Sequence, residues 1–304
     1  MGYDSDLVLE KFRSIMESNQ AQPGILYIVG TPIGNLGDMS PRAIAILGTV
    51  DMVLAEDTRT SSRFLQNYGL NIFYLSFHKF NEKSRQEEIL LRLEAGQSVA
   101  LISDAGMPAL SDPGSSLIRA VHERGMPVRV IPGPTAVATA WALAAPDDLE
   151  FSFMGFLPTK GKERNRVLKN MVSSIRPCLF YEAPHRVVKT LEDLTGMGLE
   201  QRQIFYAREM TKAYEECKWG KVGDLLDYFR EFPPKGEFVL LLDKPGKKEE
   251  AREASVDFLE TEDRVKKLLE EGLSTKDILT QLQGKTLMSK NDVKALVQEI
   301  KNKG

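Results

Sequence analysis

Apolar positions in this chain fall into short runs separated by amphipathic stretches. "ILYIVG" (25–30), "MVLAED" (52–57), "IFYLSF" (72–77) and the runs at 98–102 and 127–131 have the length and composition of buried strands. Between them, "SPRAIAIL" (40–47) predicts a helix with Ser40 as N-cap and Pro41 in its first position. "TRTSSRFLQNYG" predicts a helix ending at Gly69, and "EKSRQEEILLRLEAG" a charged amphipathic helix ending at Gly96. Helices over 115–124 and 134–144 complete the series. Strands alternating with helices predict a parallel or mostly parallel sheet.

The pattern changes after "APDDLE" (145–150). "FSFMGF", "CLFYEA", "IFYARE", "EECKWG" and "EFVLLLD" read as strands, with helices near 162–172, 184–195 and 221–230. Strands following one another closely predict a mixed sheet with hairpins. Three short helical patterns close the chain, the second capped by Ser274 or Thr275 and the third by Ser289. The expected organisation is an extension (1–23), an N-terminal α/β domain (24–147), a C-terminal α/β domain (148–243), a polar linker (244–257) and a helical appendage (258–304).

Composition narrows the function classes. The 304 residues carry a net charge of -3, which argues against a protein that coats nucleic acid but leaves room for a local basic patch. Cys178 and Cys217 form no metal-like spacing and only three histidines are present, so no metal is expected. No signal-type segment or membrane-length apolar run occurs, so a cytoplasmic protein is expected.

Candidate chemistry collects where strands end, the place open α/β sheets bind ligands. "GTPIGNLGD" (30–38) follows the first strand but is neither a dinucleotide fingerprint nor a Walker loop. "AEDTRTSSRF" brings Glu56, Asp57 and Arg59 together, with Asp57 or Thr58 as the helix cap. "SDAGMPALSDPG" (103–114) is longer than the usual strand-to-helix link, and such loops are commonly functional. Asp104 suits a ligand ammonium or ribose hydroxyl. "VIPGPTAVATA" (130–140) puts Thr135 and Ala136 at a helix start, where a ligand gains close backbone access. "FYEAPHRVVKTL" ends a strand with Glu182, His185 and Arg186, either a catalytic cluster or a capped helix start. "AREMTKAYEE" adds Arg208, Glu209 and Lys212, while Lys235 and Glu237 read as a turn. The most basic segment holds Lys160, Lys162, Arg164, Arg166 and Lys169, as a phosphate contact or a solvated helix face would.

Taken in order, "LYIVGTPIGNLGDMSPRAIAIL", "AEDTRTSSRFL", "LISDAGMPALSDPG", "IPGPTAVATA", "GFLP", "FYEAPHRV", "REMTK" and "KGEFVLL" resemble the ribosomal small-subunit methyltransferase I family, within the tetrapyrrole-methylase-like (class III) S-adenosylmethionine-dependent methyltransferases. The resemblance covers residues 24 to about 243; "ALAAPDDLEFSF" departs from it, where the family has a Ser-Gly-type turn. It implies two α/β domains with the cofactor in the cleft between them. It implies a homodimer and 2′-O-methylation of a cytidine ribose, cytidine 1402 in the family's rRNA numbering, in the decoding region of 16S rRNA or the small ribosomal subunit.

By the same resemblance, cofactor contacts fall on Pro32, Ile33, Ser103, Asp104, Ala105, Gly106, Gly133, Thr135, Ala136 and Tyr181. A ribose hydroxyl needs a proton acceptor during transfer. His185 is the first candidate, with Glu182 orienting it or acting itself, and Asp57 as competitor. Arg59, Arg186 and Lys212 are expected to hold RNA phosphates alongside Lys160, Lys162, Arg164 and Arg166. The first half of "SDAGMPALSDPG" is expected to touch the cofactor, and Ser111 to Gly114 to shape the loop and cap the helix from 115. A small-molecule methyltransferase of the same fold and a non-catalytic rRNA-binding factor are the alternatives.

Overall fold

The computed structural model describes residues 4–286 and 288–303. The chain opens with α1 (Ser5–Ser18), capped by Asp4, whose carboxylate accepts from the backbone N–H of Asp6 and Leu7. Five strands then alternate with helices: β1 (Leu26–Val29), α2 (Pro41–Leu47), β2 (Met52–Ala55), α3 (Thr58–Gln66), β3 (Tyr74–Ser76), α4 (Glu82–Glu94), β4 (Val99–Leu101), α5 (Ser115–Glu123), β5 (Val128–Ile131) and α6 (Ala136–Ala144). The strands form one parallel sheet in the order β3-β2-β4-β1-β5. β1, β2 and β4 are apolar throughout because helices cover both faces of a parallel sheet. Tyr27 and Val29 point to a core with Leu47, Val53 and Leu65, while Leu26 and Ile28 face the opposite core with Met52, Leu54, Phe77 and Leu117.

The second sheet contains β6 (Ser152–Phe156), β7 (Cys178–Glu182), β8 (Gln203–Arg208), β9 (Glu216–Lys221) and β10 (Phe238–Leu242) in the order β6-β7-β10-β8-β9. β6 and β7 are parallel and the other pairs antiparallel, with β8 and β9 forming the hairpin. α7 (Gly161–Val172), α8 (Pro184–Thr195) and α9 (Val222–Glu231) connect these strands. The two sheets share α6. That helix connects the first sheet to the second, but its Val137, Ala140 and Ala144 pack on Leu179, Phe205, Ala207, Val239 and Leu241 of the second. The Trp219 indole donates to the Ala144 carbonyl, 2.9 Å away. Both sheets lie in one unit, residues 1–171 and 176–243.

The other unit is residues 172–175 and 244–304. It contains α10 (Lys247–Glu270), α11 (Thr275–Leu282) and α12 (Lys290–Lys303), with a core of Val265, Ile278, Leu282, Val293, Leu296 and Val297. Ser274 caps α11. Most of the stretch expected as a linker is the first half of α10. Its charge pattern resembles a linker, but Lys, Glu, Ala and Arg are strong helix formers and no Gly or Pro follows Gly246 there.

Candidate active site

A cavity of about 400 Å³ opens where the carboxyl ends of the first sheet meet the second. Its floor comes from the loops after β1, β2, β4 and β5; its other wall from the ends of β6, β7 and β8 and the start of β10.

Backbone contacts hold the floor loops in place. Thr31 and Gly106 exchange N–H···O bonds of 2.9 and 3.1 Å. The Ser103 hydroxyl donates to the carbonyls of Ala105 and Gly106, and the Thr31 hydroxyl to that of Ser103. Gly106 has φ +80, where glycine carries no steric cost. Gly30 and Gly133 touch backbone to backbone, so a Cβ on Gly30 would sit 2.7 Å from the Gly133 Cα. Ala109 and Ser111 also have positive φ, as do Glu209 and Thr211 in the facing loop. Non-glycine residues held in this region store strain, which clusters at functional sites.

Of the residues expected to contact a cofactor, Ile33, Asp104, Ala105, Gly106, Thr135, Ala136 and Tyr181 line the cavity. Pro32, Ser103 and Gly133 do not line it; they lie in the loops that form its floor. Thr135 is the N-cap of α6, accepting from the N–H of Ala138, so the helix starts two residues after Pro134. The second half of "SDAGMPALSDPG" behaves differently from expectation. Ser111 and Asp112 line the cavity. Gly114, the last residue of the stretch expected to cap the helix, is the N-cap of α5, but it brings no side chain; Glu82 from α4 accepts from the Gly114 N–H at 3.2 Å and the Ser116 hydroxyl at 2.6 Å. The local sequence holds no sign of a cap delivered from 32 residues away.

Six carboxylates face the cavity. Glu182 is paired with Arg186, and Glu209 and Glu237 with Lys212. Glu56, Asp104 and Asp112 form no ion pair among the described residues. Burial and the charges of Glu56 and Asp104 push the Asp112 carboxyl up to about 6, with the Ser103 hydroxyl opposing. Burial also raises Asp104, partly offset by the Asp57 N–H. Burial and the charge of Asp112 raise the Tyr181 phenol.

The expected proton acceptors are scattered. His185 is exposed in the first turn of α8, outside the cavity lining, and forms no hydrogen bond among the described residues. Glu182 is buried and fully engaged: it accepts from the Ala183 N–H at 3.0 Å and the Thr190 hydroxyl at 2.7 Å and pairs with Arg186 at 3.1 Å. Asp57 caps α3; the N–H groups of Arg59 and Thr60 hold its carboxyl below the usual range.

The basic residues divide similarly. Lys160, Lys162 and Arg166 are exposed, as is Arg59. Arg164 is buried and unavailable to phosphate: its guanidinium donates to Asp193 at 2.8 Å, the Pro158 carbonyl at 3.0 Å and the Thr190 hydroxyl at 2.9 Å. Helical periodicity turns it inward next to Leu168, and its charge alone gave no sign of this. Arg186 spends its guanidinium on the Leu157 and Pro158 carbonyls as well as Glu182. Lys212 is held between Glu209 and Glu237.

Sequence reasoning missed Phe156, Met210 and Phe238 as lining residues. They lie inside "GFLP", "REMTK" and "KGEFVLL", at strand ends where apolar side chains turn into the cavity, and the attention given to the charged neighbours of Met210 and Phe238 passed over them.

Residues 25–226 match the family model of the tetrapyrrole (corrin/porphyrin) methylases. The fold is that of the methyltransferase CobJ (21% identity, TM-score 0.55, covering 73% of this chain and 94% of that one) and of diphthine synthase (16%, 0.55, 72% and 89%). The family model, matched across about two thirds of the chain and with this fold, makes it a methylase of this class. Curated proteins named ribosomal RNA small subunit methyltransferase I are similar along most of their length. The one from Synechocystis sp. is 38% identical over 92% of this chain and 100% of its own. Those from Escherichia coli O157:H7 (40%; 81% and 86%) and Thermotoga maritima (43%; 72% and 98%) agree. This chain belongs to the ribosomal RNA small subunit methyltransferase I family.

Proposed function

We propose that this enzyme uses S-adenosylmethionine to methylate small-subunit rRNA, and that its target is the ribose 2′-hydroxyl of a cytidine in the decoding region, cytidine 1402 in the family's numbering. Besides family membership, one observation carries the reading: three unpaired carboxylates, Glu56, Asp104 and Asp112, on an otherwise largely apolar cavity. Such a site favours a ligand that is cationic and partly apolar. S-adenosylmethionine, with its sulfonium, ammonium and adenine, meets both demands, and the volume is within the usual range of about 300–1,000 Å³ for small-molecule sites.

When bound, the cofactor supplies an electrophilic methyl group on sulfur. Ile33, Ala105, Gly106, Thr135, Ala136 and Tyr181 would hold it, and the carboxylates of Asp104 and Asp112 would offset its positive charge. Pro32, Ser103 and Gly133 fix the loops that carry these contacts. Positioning supplies most of the rate, up to roughly 7–11 kcal/mol in favourable cases.

The nucleophile must also lose its proton. Glu182 has its oxygens occupied and holds the start of α8. Asp57 is kept ionised as a helix cap and is a poor base. His185, exposed just beyond the lining residues Glu182 and Ala183, is the remaining candidate, and it would accept the 2′-hydroxyl proton on an imidazole nitrogen from a ribose held at the cavity mouth. Arg59, Lys160, Lys162 and Arg166 hold phosphates. The enzyme acts as a homodimer in the cytoplasm; among the described residues no helix is long and apolar enough to cross a membrane.

The test is methyl transfer from labelled S-adenosylmethionine to small-subunit particles and to free 16S rRNA, followed by mass-spectrometric mapping. A methyl group on a decoding-region cytidine ribose is expected; one on a base, or none, overturns the reading. His185→Ala is expected to lose transfer by about 10²–10⁴-fold while retaining cofactor affinity in calorimetry. Full activity in that variant removes His185 as the base.

A further inference from the structure

Outside the cavity, an open groove of about 550 Å³ runs between α3 and the edge strand β3. Its α3 wall carries Thr58, Arg59, Ser62, Arg63 and Gln66; the facing wall carries Ile72 and Phe73, which lead into β3, and Tyr74 at its start. Arg59 and Arg63 are four residues apart, so they project from one helix face about 5–6 Å apart at Cβ. Neither guanidinium forms an ion pair among the described residues, although most arginines described elsewhere in the molecule are paired. Facing them, Phe73 is 58% exposed beside the edge strand, whereas Tyr27 and Phe77 of the same region are buried and Tyr74 is half-buried. The Tyr74 hydroxyl is buried in the same wall without a hydrogen bond of normal length.

We propose that this groove is a single-stranded RNA subsite: Phe73 stacks on an unpaired base while Arg59 and Arg63 hold the adjoining phosphates. The inference rests on the proposed rRNA reading and extends it to a second contact outside the cofactor cavity. Two features favour RNA over a simple anion. An anion needs the arginines but gains nothing from an exposed phenyl ring beside them. A nucleotide uses both, because bases stack on aromatic rings and arginines hold the backbone. A duplex has no unstacked base to offer the ring, so the strand must be single.

Position supports the assignment. α3 begins two residues after Glu56, which lines the cofactor cavity, and its nine residues extend about 13 Å away from it. A strand entering the cavity with its target nucleotide can continue along α3. The hydroxyls of Thr58 and Ser62 then lie along the groove as partners for sugar and phosphate oxygens.

The experiment compares the wild type with Arg63→Gln, Phe73→Ala and Phe73→Leu. The last keeps an apolar side chain in case the alanine variant does not fold. Methylation kinetics are read on small-subunit particles, and binding is read with a labelled single-stranded RNA of the target sequence over a range of salt. Each folded variant is expected to raise KM about tenfold with kcat and S-adenosylmethionine affinity unchanged. Arg63→Gln is also expected to reduce the salt slope of RNA binding by about one, whereas Phe73→Leu leaves the slope unchanged. Wild-type KM and slope in folded Arg63→Gln and Phe73→Leu overturn the groove while leaving the rRNA reading intact. A wild type that neither methylates nor binds RNA overturns both.

Discussion

Asp112 is the carboxylate of the cavity that its surroundings disfavour most. Its carboxyl is pushed up to about 6 in the folded chain, above the usual carboxylate value. The folded state therefore binds more protons than the unfolded state between about pH 4 and pH 6, and stability falls as pH rises through that window. At neutral pH the charged Asp112 is a net cost. Asp112→Asn is expected to stabilise the cofactor-free protein by about 1 kcal/mol at pH 7.5, after allowance for its partial exposure. The gain should shrink as the pH falls to 4.5, as denaturant titrations at the two values will show. The same substitution should weaken S-adenosylmethionine binding about tenfold at pH 7.5. A variant that gains no stability and loses no affinity would mean that Asp112 is not the strained carboxylate of this cavity. Sequence alone misdirected the reading here. "SDAG" and "SDPG" look like the same unit twice, and only the fold shows that both acids turn to one cavity while a glutamate from a neighbouring helix takes over the cap.

At the scale of elements, what was legible followed from periodicity and local chemistry. Ser40 caps α2 with Pro41 next to it, Asp57 caps α3, and the first sheet is parallel throughout. What was not legible depended on contacts between distant elements. Arg164 looks like its neighbours in a basic run, yet it lies under α8, bonded to Thr190 and Asp193. His185 looks like part of a strand-end cluster, yet α8 carries it outside the cavity lining. Glycines show the same limit. Gly30 and Gly133 belong to motifs 103 residues apart, yet their backbones approach so closely that a Cβ on Gly30 would lie 2.7 Å from the Gly133 Cα. Gly30→Ala forces backbone against backbone and should both destabilise the protein by more than about 1 kcal/mol and weaken cofactor binding. Gly125→Ala makes a useful control: it adds a Cβ in open space and so tests the cost of φ +68 alone. Equal losses in the two variants, measured by thermal melting and calorimetry, would show that the close approach does not matter.

At the scale of the whole molecule, the boundary read near residue 147 separates the sheets but not their cores. α6 belongs by connection to the first sheet and by packing to the second, anchored by Trp219 on Ala144. A chain cut after residue 147 leaves α6 on the N-terminal fragment with its buried side uncovered, and leaves the second sheet with a matching bare face. Each piece alone should aggregate, and the two co-expressed should reassemble into a complex that binds S-adenosylmethionine. Two soluble, independently melting fragments would contradict this. An intact chain should likewise show one calorimetric transition for the two sheets. The shared helix has a consequence for inheritance as well. Neither half can be exchanged for that of a distant relative without carrying α6 and its footprint on the second sheet along, so recombination between such genes should succeed at the chain ends and fail at the apparent domain seam.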